Sequence, residues 1–271
     1  MLKTHIQLAI RHLLKHKGYA FINIFGLSIG VAACLLIFRI VYYELSFDTF
    51  HAKYNRIVRV VTHDWNEGEG EDNTTGIPIP AMDEMQQTVT QFEQFARVHS
   101  AWPTLTVPNA PGSMIGAKYA TDGISETALF TEPAFFSIFD WKWLSGDPHS
   151  ALSEPNTIVL TKKIAEKGFG TWQMAVGKTV ILDNLVPATV RGIVENAPDN
   201  SDFQINYFIS YPTLKANAKV YDFNADWGNT SSNDQAFALL SDENQVAAAA
   251  SVLANVGQTQ YNNGRGKRRH H

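Results

Sequence analysis

The chain has 271 residues, of which 45% are apolar and 18% are charged, and this composition excludes an intrinsically disordered protein. Its formal net charge is only −4, but the charges are sorted along the chain. Residues 1–43 carry five basic and no acidic side chains, whereas residues 44–264 carry 13 basic and 26 acidic ones. This sorting argues against a soluble globular enzyme. It favours a membrane protein with a positive inner end and an acidic outer domain.

Residues 1–17 predict an amphipathic helix that lies along the cytoplasmic surface of a membrane. Its apolar side chains fill one side of a helical wheel and its basic side chains the other, which anionic lipid headgroups attract. A positive flank without helical structure is the alternative. The basic residues that predict the membrane orientation are Lys3, Arg11, Lys15 and Lys17. By the positive-inside rule, they place the N-terminus in the cytoplasm and residues 44–271 on the far side.

Residues 18–43 predict one transmembrane helix. Residues 18–38 contain no charged side chain, and about 20 helical residues cross a hydrocarbon core of about 30 Å. The stretch is too long for the core of a signal peptide and has no small-x-small cleavage site after it, so we expect an uncleaved anchor. The alternatives are a cleaved signal peptide and a buried helix of a soluble protein.

Small residues on one face of this helix predict packing against a second helix. Gly26, Gly30 and Ala33 form that face, and small side chains let two helices approach closely. Cys34 is the only cysteine, which excludes an intrachain disulfide, and we interpret it as an apolar filler.

The outer domain is predicted to begin at residue 44. Residues 44–56 predict a short amphipathic linker helix, and residues 57–62 predict a strand because they are rich in β-branched side chains. Residues 64–75 are rich in acidic side chains and predict a solvated loop. A calcium site is not predicted there, because the order of the carboxylates does not match an EF-hand.

Beyond this loop, short predicted strands alternate with short predicted helices. The predicted helices cover residues 81–90, 132–139, 162–168 and 243–256, with Thr161 and Asp242 as N-caps. The predicted strands cover residues 95–98, 104–107, 114–119, 157–160, 179–182, 188–194, 203–210 and 235–240. Turns are predicted at residues 109–112 and 183–184. The alternation predicts an α+β outer domain of two lobes.

Motifs for nucleotide or zinc chemistry do not appear in the sequence. Gly177 and Lys178 lack the earlier glycine of a phosphate-binding loop, since Trp172 stands in its place. The N-terminal histidines belong to the basic flank, and the other histidines are scattered. We therefore predict a protein that is not an enzyme, with no catalytic residues, no metal ligands and no cofactor. An active site assembled from scattered residues is the alternative.

Several motifs in chain order carry a family resemblance. They are residues 10–30, 43–51, 56–60, 132–139, 144–148, 156–161, 176–179 and 190–194, with Pro198, Asn200, Ser201 and Phe203 after the last of them. Through these motifs the chain resembles the FtsX-like and MacB-like ABC-transporter permeases over residues 1–257, and residues 44–257 resemble their MacB-like periplasmic core domain. The resemblance implies a bacterial inner-membrane protein whose N-terminus is cytoplasmic and whose outer domain is periplasmic.

The resemblance also implies a function and partners. The chain would be a permease subunit of an ABC-type transporter or of a mechanotransmission complex. It would contact membrane lipid, an ABC ATPase subunit and a second permease copy, and no nucleic acid. The residues implied in coupling the span to the outer domain are Glu44, Leu45, Phe47, Asp48, Phe50 and His51.

The end of the chain departs from the family pattern. Family members continue with three further spans and a cytoplasmic loop that meets the ATPase, whereas residues 258–271 form a basic tail for which we expect disorder. We therefore expect a truncated, frameshifted or fragmentary product. One alternative function is a single-pass anchored periplasmic binding or sensor module that works without an ATPase. Another is a membrane-anchored hydrolase.

Overall fold

The computed structural model describes residues 5, 11, 15–66, 70–108, 114–116, 127–256 and 267–270. The chain divides into two compact units, residues 1–48 and residues 49–271. The predicted amphipathic helix over residues 1–17 lies mostly outside the described residues. The first unit is otherwise helix α1 (Lys17–Glu44), which agrees with the predicted span over residues 18–43.

Helix α1 ends in a series of turns. The N–H of Leu45 donates to the Val41 carbonyl, and the N–H of Ser46 donates to the Tyr43 carbonyl. Asp48 then has a φ of 54°, in the left-handed region that a continuing helix does not use. The predicted linker helix over residues 44–56 is therefore wrong, and only residues Tyr54–Arg56 form a short 3-10 turn.

The second unit is an α+β domain, as the sequence predicts. Its helices are α2 (Ile79–Thr88), α3 (Ala134–Ile138), α4 (Lys162–Phe169), α5 (Tyr211–Ala216) and α6 (Val246–Leu253). Its strands are β1 (Ile57–Val60), β2 (Thr62–Asn66), β3 (Gly70–Thr74), β4 (Phe92–Ala101), β5 (Leu105–Thr106), β6 (Met114–Gly116), β7 (Thr127–Thr131), β8 (Trp143–Ser145), β9 (Thr157–Thr161), β10 (Thr179–Leu182), β11 (Val186–Val194), β12 (Ile205–Ser210), β13 (Asp234–Leu240) and β14 (Lys267–His270).

One large sheet contains most of these strands. Its order is β1-β13-β4-β7-β12-β9-β11-β10-β5-β6, and β8 pairs with β11. The pairs β7–β12 and β9–β11 are parallel, and the other pairs are antiparallel. Strand β13 lies between β1 and β4, with Phe237 opposite both Arg59 and Ala96. We call β1, β4 and β13, together with α2 and α6, the small lobe. We call β5–β7 and β9–β12, together with α4 and α5, the large lobe.

A second sheet replaces the predicted acidic loop. Residues 64–75 do not form a loop throughout, because β2 and β3 pair antiparallel from Thr62 opposite Thr74 to Asn66 opposite Gly70. Strand β14 pairs with the other edge of β2. Four residues of the tail for which we expected disorder are thus in a strand, because the exposed edge of β2 offers backbone hydrogen-bonding groups.

Three apolar clusters cover the two faces of the large sheet. The aromatic core lies on one face and includes Phe135, Phe136, Phe139, Phe208 and Phe237. The opposite face carries two separate clusters, one in each lobe. The small-lobe cluster packs α2 and α6 on the sheet through residues such as Met82, Met85, Phe95, Ala238 and Leu253. The large-lobe cluster packs α4 and α5 through residues such as Phe130, Leu160, Ile164, Tyr207 and Leu214.

Local chemistry explains several element ends. Asp183 and Asn184 both have positive φ, 48° and 57°, as a tight turn between β10 and β11 requires, which confirms that predicted turn. Asp242 accepts the backbone N–H of Asn244, and this hydrogen bond lowers its pKa. The Thr161 hydroxyl does not cap α4 as predicted but donates to the Asn206 carbonyl. The predicted turn over residues 109–112 lies outside the described residues.

Candidate functional site

Helix α1 has the length and composition of a membrane span. Its 28 residues extend about 42 Å, more than the roughly 30 Å of a hydrocarbon core. None of the residues in its most apolar 18-residue stretch is buried by the rest of the chain. In the part of the chain that the structure describes, it is the one helix that meets these conditions.

The predicted packing face of α1 is open. A Cβ atom placed on Gly26 or Gly30 would meet no atom within 4 Å. Ala33 is exposed on the same helix. The helix-packing role of these three residues stays a prediction.

Residues 26–30 also match the Gly-x-Ser-x-Gly pattern of a hydrolase nucleophile. That nucleophile requires a sharp turn between a strand and a helix, whereas Ser28 lies inside the continuous helix α1. Its hydroxyl donates to the Ile24 carbonyl at 2.7 Å. The pattern is therefore part of a span and offers no nucleophile elbow.

The basic flank is only partly described. Arg11 and Lys15 are helical and exposed, and Lys17 is the first residue of α1. Lys3 lies outside the described residues. The membrane orientation that these residues indicate stays a prediction.

The predicted coupling residues divide between exposed turns and one buried side chain. Glu44 ends α1, and Leu45 after it is exposed. The Phe47 ring packs edge-on against Tyr43 at 5.2 Å between centroids. Asp48 supplies the left-handed turn described above.

Farther along, Phe50 is partly exposed, and its ring lies 4.1 Å from the ring of His51. His51 is only 3% exposed. Of the predicted residues, it alone is buried in the outer domain.

His51 is fixed against the segment that follows α3. Its Nδ1 accepts the backbone N–H of Asp140 at 3.0 Å, and its ring packs edge-on against Phe139 at 5.3 Å. In return the Asp140 carboxylate accepts the N–H of Ala52 at 2.6 Å. The Lys53 ammonium donates to the Ser137 carbonyl at 3.1 Å. Residues 51–53 are thus held through two reciprocal backbone contacts, one ring contact and one charged donor.

A second anchor lies three residues farther along. The Arg56 guanidinium donates to the carbonyls of Leu240 and Ser241, at 2.9 and 3.1 Å, and to the Glu93 carboxylate at 2.9 Å. Asn55 donates to the Glu243 carboxylate. Residues 51–56, named here the docking segment, therefore bind both the α3 end of the aromatic core and the C-terminal end of β13.

The docking segment leads directly into the aromatic core. The Phe139 ring lies 4.7 Å from Phe135, 4.8 Å from Phe203 and 5.3 Å from Phe237. A displacement of His51 therefore reaches rigidly packed rings that support the centre of the large sheet. The docking segment and the aromatic core therefore form one continuous set of contacts.

Sequence reasoning missed half of this site. It singled out His51, but not Lys53, Arg56 or Asp140, because most partners of the docking segment are more than 80 residues away along the chain. A signal was present at Arg56, because it is a charged residue directly before a β-branched strand. At such a position a guanidinium can donate to the carbonyl groups at the end of a neighbouring strand. In the described residues, no group of three or more His, Cys, Asp or Glu side chains is arranged to hold a metal ion.

Comparison with known proteins identifies the architecture. The family model described as MacB-like periplasmic core domain matches residues 20–256. No curated protein sequence matches the chain.

Three solved structures share the fold. A domain of a putative permease protein from Porphyromonas gingivalis has 17% identity, covers 81% of this chain and 90% of its own, and gives a TM-score of 0.60. The periplasmic region of MacB from Actinobacillus actinomycetemcomitans has 16% identity, and the match covers 83% of this chain and 89% of that structure, with a TM-score of 0.53. The extracellular domain of the noncanonic ABC-type transporter YknZ from Gram-positive bacteria has 12% identity, and the match covers 79% of this chain and 100% of that structure, with a TM-score of 0.50.

Proposed function

Because the chain belongs to the family of MacB-like periplasmic core domains, we propose that it is a membrane subunit of an ABC-type transporter permease or of a related mechanotransmission complex. The observation that carries the proposal is the docking segment, which follows the span by a few residues and binds the outer domain at two places. In this proposal the span moves with the membrane part of the complex, and His51 and Arg56 pass the movement to the aromatic core and to β13. The role is mechanical, and the chain itself is not an enzyme.

We place the chain in the bacterial inner membrane with its N-terminus in the cytoplasm and residues 44–271 in the periplasm. The basic flank before α1 and the acidic outer domain support this orientation. Its proposed partners are membrane lipid, an ABC ATPase subunit and a second permease copy that packs on Gly26, Gly30 and Ala33. Spans encoded beyond residue 271 are expected, and in-frame downstream DNA without such spans would favour a single-pass sensor module instead.

A test of coupling compares two histidine variants of the chain, joined to the later spans and the ATPase-contacting loop of the family and reconstituted in nanodiscs with a candidate ATPase. A fluorophore on Glu166→Cys, an exposed position of α4, in a Cys34→Ala background, reports ATP-dependent change in the outer domain. We expect His51→Ala to abolish the ATP-dependent signal, because it removes the buried acceptor of the Asp140 N–H. His149→Ala is the matched control, since His149 is exposed. An ATP-dependent signal that survives in His51→Ala would contradict the coupling role.

A further inference from the structure

Two polar residues interrupt the apolar row of β4 where the two lobes meet. Side chains alternate across a strand, so residues 95, 97, 99 and 101 share one face. Phe95 belongs to the small-lobe cluster, and Ala101 packs against the large-lobe cluster. Arg97 and His99 lie between them, and both are buried, 9% and 6% exposed. A buried charge at the boundary of two apolar clusters calls for partners, and the structure supplies them from both lobes.

Arg97 binds one carboxylate from each side of the boundary. Its guanidinium donates through one terminal nitrogen to Asp83 of α2, and through the other to Glu132, which follows β7. Its backbone N–H and its Nε donate to the second Glu132 oxygen, each at 3.3 Å. The guanidinium carbon also lies 4.9 Å from the centre of the Tyr211 ring in the large lobe. One side chain thus holds a helix of the small lobe to two elements of the large lobe.

The environment keeps this arginine charged. Burial alone acts to lower the Arg97 pKa, but the Glu132 hydrogen bond and the negative charges of Glu132 and Asp83 raise it above its ordinary value. The guanidinium is therefore a permanent cation between two anions. The two anions differ in exposure, because the Asp83 side chain is 46% exposed and that of Glu132 only 19%. Water and salt weaken the Asp83 contact first.

A second polar pair and a long loop cross the same boundary. His99 Nδ1 lies 2.8 Å from the carboxylate of the buried Asp234, at the start of β13. Residues 217–233, named here the interlobe strap, join α5 to β13. The strap buries Tyr221 in the large-lobe cluster and packs Trp227 against the small-lobe cluster. It covers the boundary and holds it at both ends.

The strap is pinned at Gly76. A Cβ on this glycine would lie 2.4 Å from the Ser231 carbonyl oxygen, so only glycine permits the approach. The Ile77 N–H donates to the Asp234 carbonyl at 2.9 Å, and the Asp234 N–H donates to the Ser231 carbonyl at 2.9 Å. The strap end is therefore a fixed point, and the contact left free to change at the boundary is the half-exposed Asp83 arm.

We propose that Arg97 is an interlobe latch with one permanent and one releasable arm. The Glu132 arm, less exposed than the Asp83 arm and made through both carboxylate oxygens, stays closed. The Asp83 arm opens and closes, and it sets whether α2 moves with the large lobe or independently of it. When the latch is closed, α2 moves with the large lobe. When Asp83 leaves, α2 gains freedom of movement relative to α4 and α5.

The test is a distance measurement across the boundary in the full chain, purified in nanodiscs. Spin labels are placed at Thr88→Cys, at the end of α2, and at Glu166→Cys in α4, both exposed positions, in a Cys34→Ala background. We expect a narrow distance distribution in the otherwise unmodified protein and a broader or shifted one in Asp83→Asn. Glu84→Gln is the matched control, because it removes the same charge from the neighbouring position of α2, and we expect the unmodified distribution.

Salt supplies a second readout that needs no variant at the latch. Raising the salt concentration from 0.05 to about 1 M shortens the Debye length from about 14 to about 3 Å and should broaden the distribution in the unmodified protein. The same change should have no further effect on Asp83→Asn. Distributions that are equal in Asp83→Asn and the unmodified protein at both salt concentrations would overturn the latch. Equal broadening by Asp83→Asn and Glu84→Gln would also overturn it. The effect would then come from the net charge of α2 and not from the contact between Asp83 and Arg97.

Discussion

Two buried tyrosines of the large-lobe cluster differ in what their hydroxyl groups bind. The Tyr207 hydroxyl donates to the Pro103 carbonyl, which fixes the segment between β4 and β5. The Tyr211 hydroxyl is buried and has no hydrogen-bond partner among the described residues. A buried hydroxyl without a partner loses its hydration without compensation, so the same chemical group stabilises the fold at one position and opposes it at the other.

This difference predicts opposite results for two matched substitutions. Tyr207→Phe should lower the free energy of unfolding by about 1 kcal/mol, whereas Tyr211→Phe should leave it unchanged or raise it by up to about 1 kcal/mol. The measurement is thermal and urea unfolding of the full chain in detergent, followed by tryptophan fluorescence. All six tryptophans lie in the outer domain, so the span does not contribute. Equal destabilisation by both variants would mean that the Tyr211 hydroxyl has a partner.

The same burial predicts how stability depends on alkaline pH. Burial raises the pKa of Tyr211, against the lowering effect of Arg97, and burial together with the Asp183 charge raises the pKa of Tyr221. The folded state therefore keeps both phenolic protons at pH values where the unfolded state, with an ordinary pKa of about 10, releases them. Their contribution is complete below about pH 10 and is lost as the pH rises above it.

We thus expect the free energy of unfolding to fall above about pH 10, with a slope of up to about 1.4 kcal/mol per pH unit for each tyrosine. Urea titrations between pH 7 and pH 11 measure this slope. The double variant Tyr211→Phe with Tyr221→Phe should flatten this slope. Tyr54→Phe, a change at an exposed position, should leave the slope unchanged. A slope that is the same in all three proteins would show that other groups cause the alkaline loss.

At the scale of elements, the sequence predicts what depends on local patterns. The span, the tight turn at Asp183 and Asn184, and most central strands follow from apolar runs, β-branched residues and turn chemistry. The linker helix was wrong because buried contacts of His51 and Arg56 outweigh the helical pattern of residues 44–56. Strand β7 and helix α5 were missed, and the Arg97 contacts could not be predicted, since their partners come from distant parts of the chain.

One glycine of strand β11 is required by a neighbouring tryptophan. A Cβ on Gly192 would lie 2.4 Å from the Trp143 ring, in the irregular pairing of β11 with β8. Gly192→Ala should therefore lower the free energy of unfolding by about 1–3 kcal/mol through overpacking. Urea unfolding measures the loss. In a double-mutant cycle, Gly192→Ala should cost almost no free energy of unfolding when Trp143→Leu is already present. If the losses of the two single variants simply add, the contact between residues 192 and 143 is contradicted.

Helix α1 yields a prediction of association within the membrane. If Gly26, Gly30 and Ala33 pack against a second copy, Gly30→Leu should lower the association of the chain at least tenfold, because the larger side chain keeps the backbones apart. Energy transfer between labelled copies in lipid vesicles measures the association. Leu35→Ala, on the opposite side of the span, serves as the control. Unchanged association in Gly30→Leu would place the helix contact on another face.

At the scale of the whole molecule, the outer unit carries every interaction that defines its fold. The large sheet, the three apolar clusters and both anchors of the docking segment all lie within residues 49–271. A unit of this size with its own core is expected to fold alone. The family could be inferred from motifs along the chain, but the docking segment and the latch needed the three-dimensional arrangement.

Residues 49–271, expressed without α1, should therefore give a monodisperse soluble protein. We expect its unfolding temperature to lie within about 4 °C of the full chain in detergent, a difference of about 1 kcal/mol or less for a domain of this size. Gel filtration and circular dichroism test this. Aggregation, or loss of the cooperative transition, would mean that the outer unit needs the span in order to fold.

The position of β13 between β1 and β4 has a consequence for synthesis on the ribosome. All strands of the large lobe lie between residues 105 and 210, so that lobe can assemble while the C-terminal part is still being translated. Strands β1 and β4 are made early, but they do not pair with each other and must wait for residues 234–240. At 5–20 residues per second, the roughly 140 residues from the end of β4 to the end of β13 take about 7 to 28 seconds to make. For that interval the nascent chain exposes the inner surface of its small lobe, which is when a chaperone would find it.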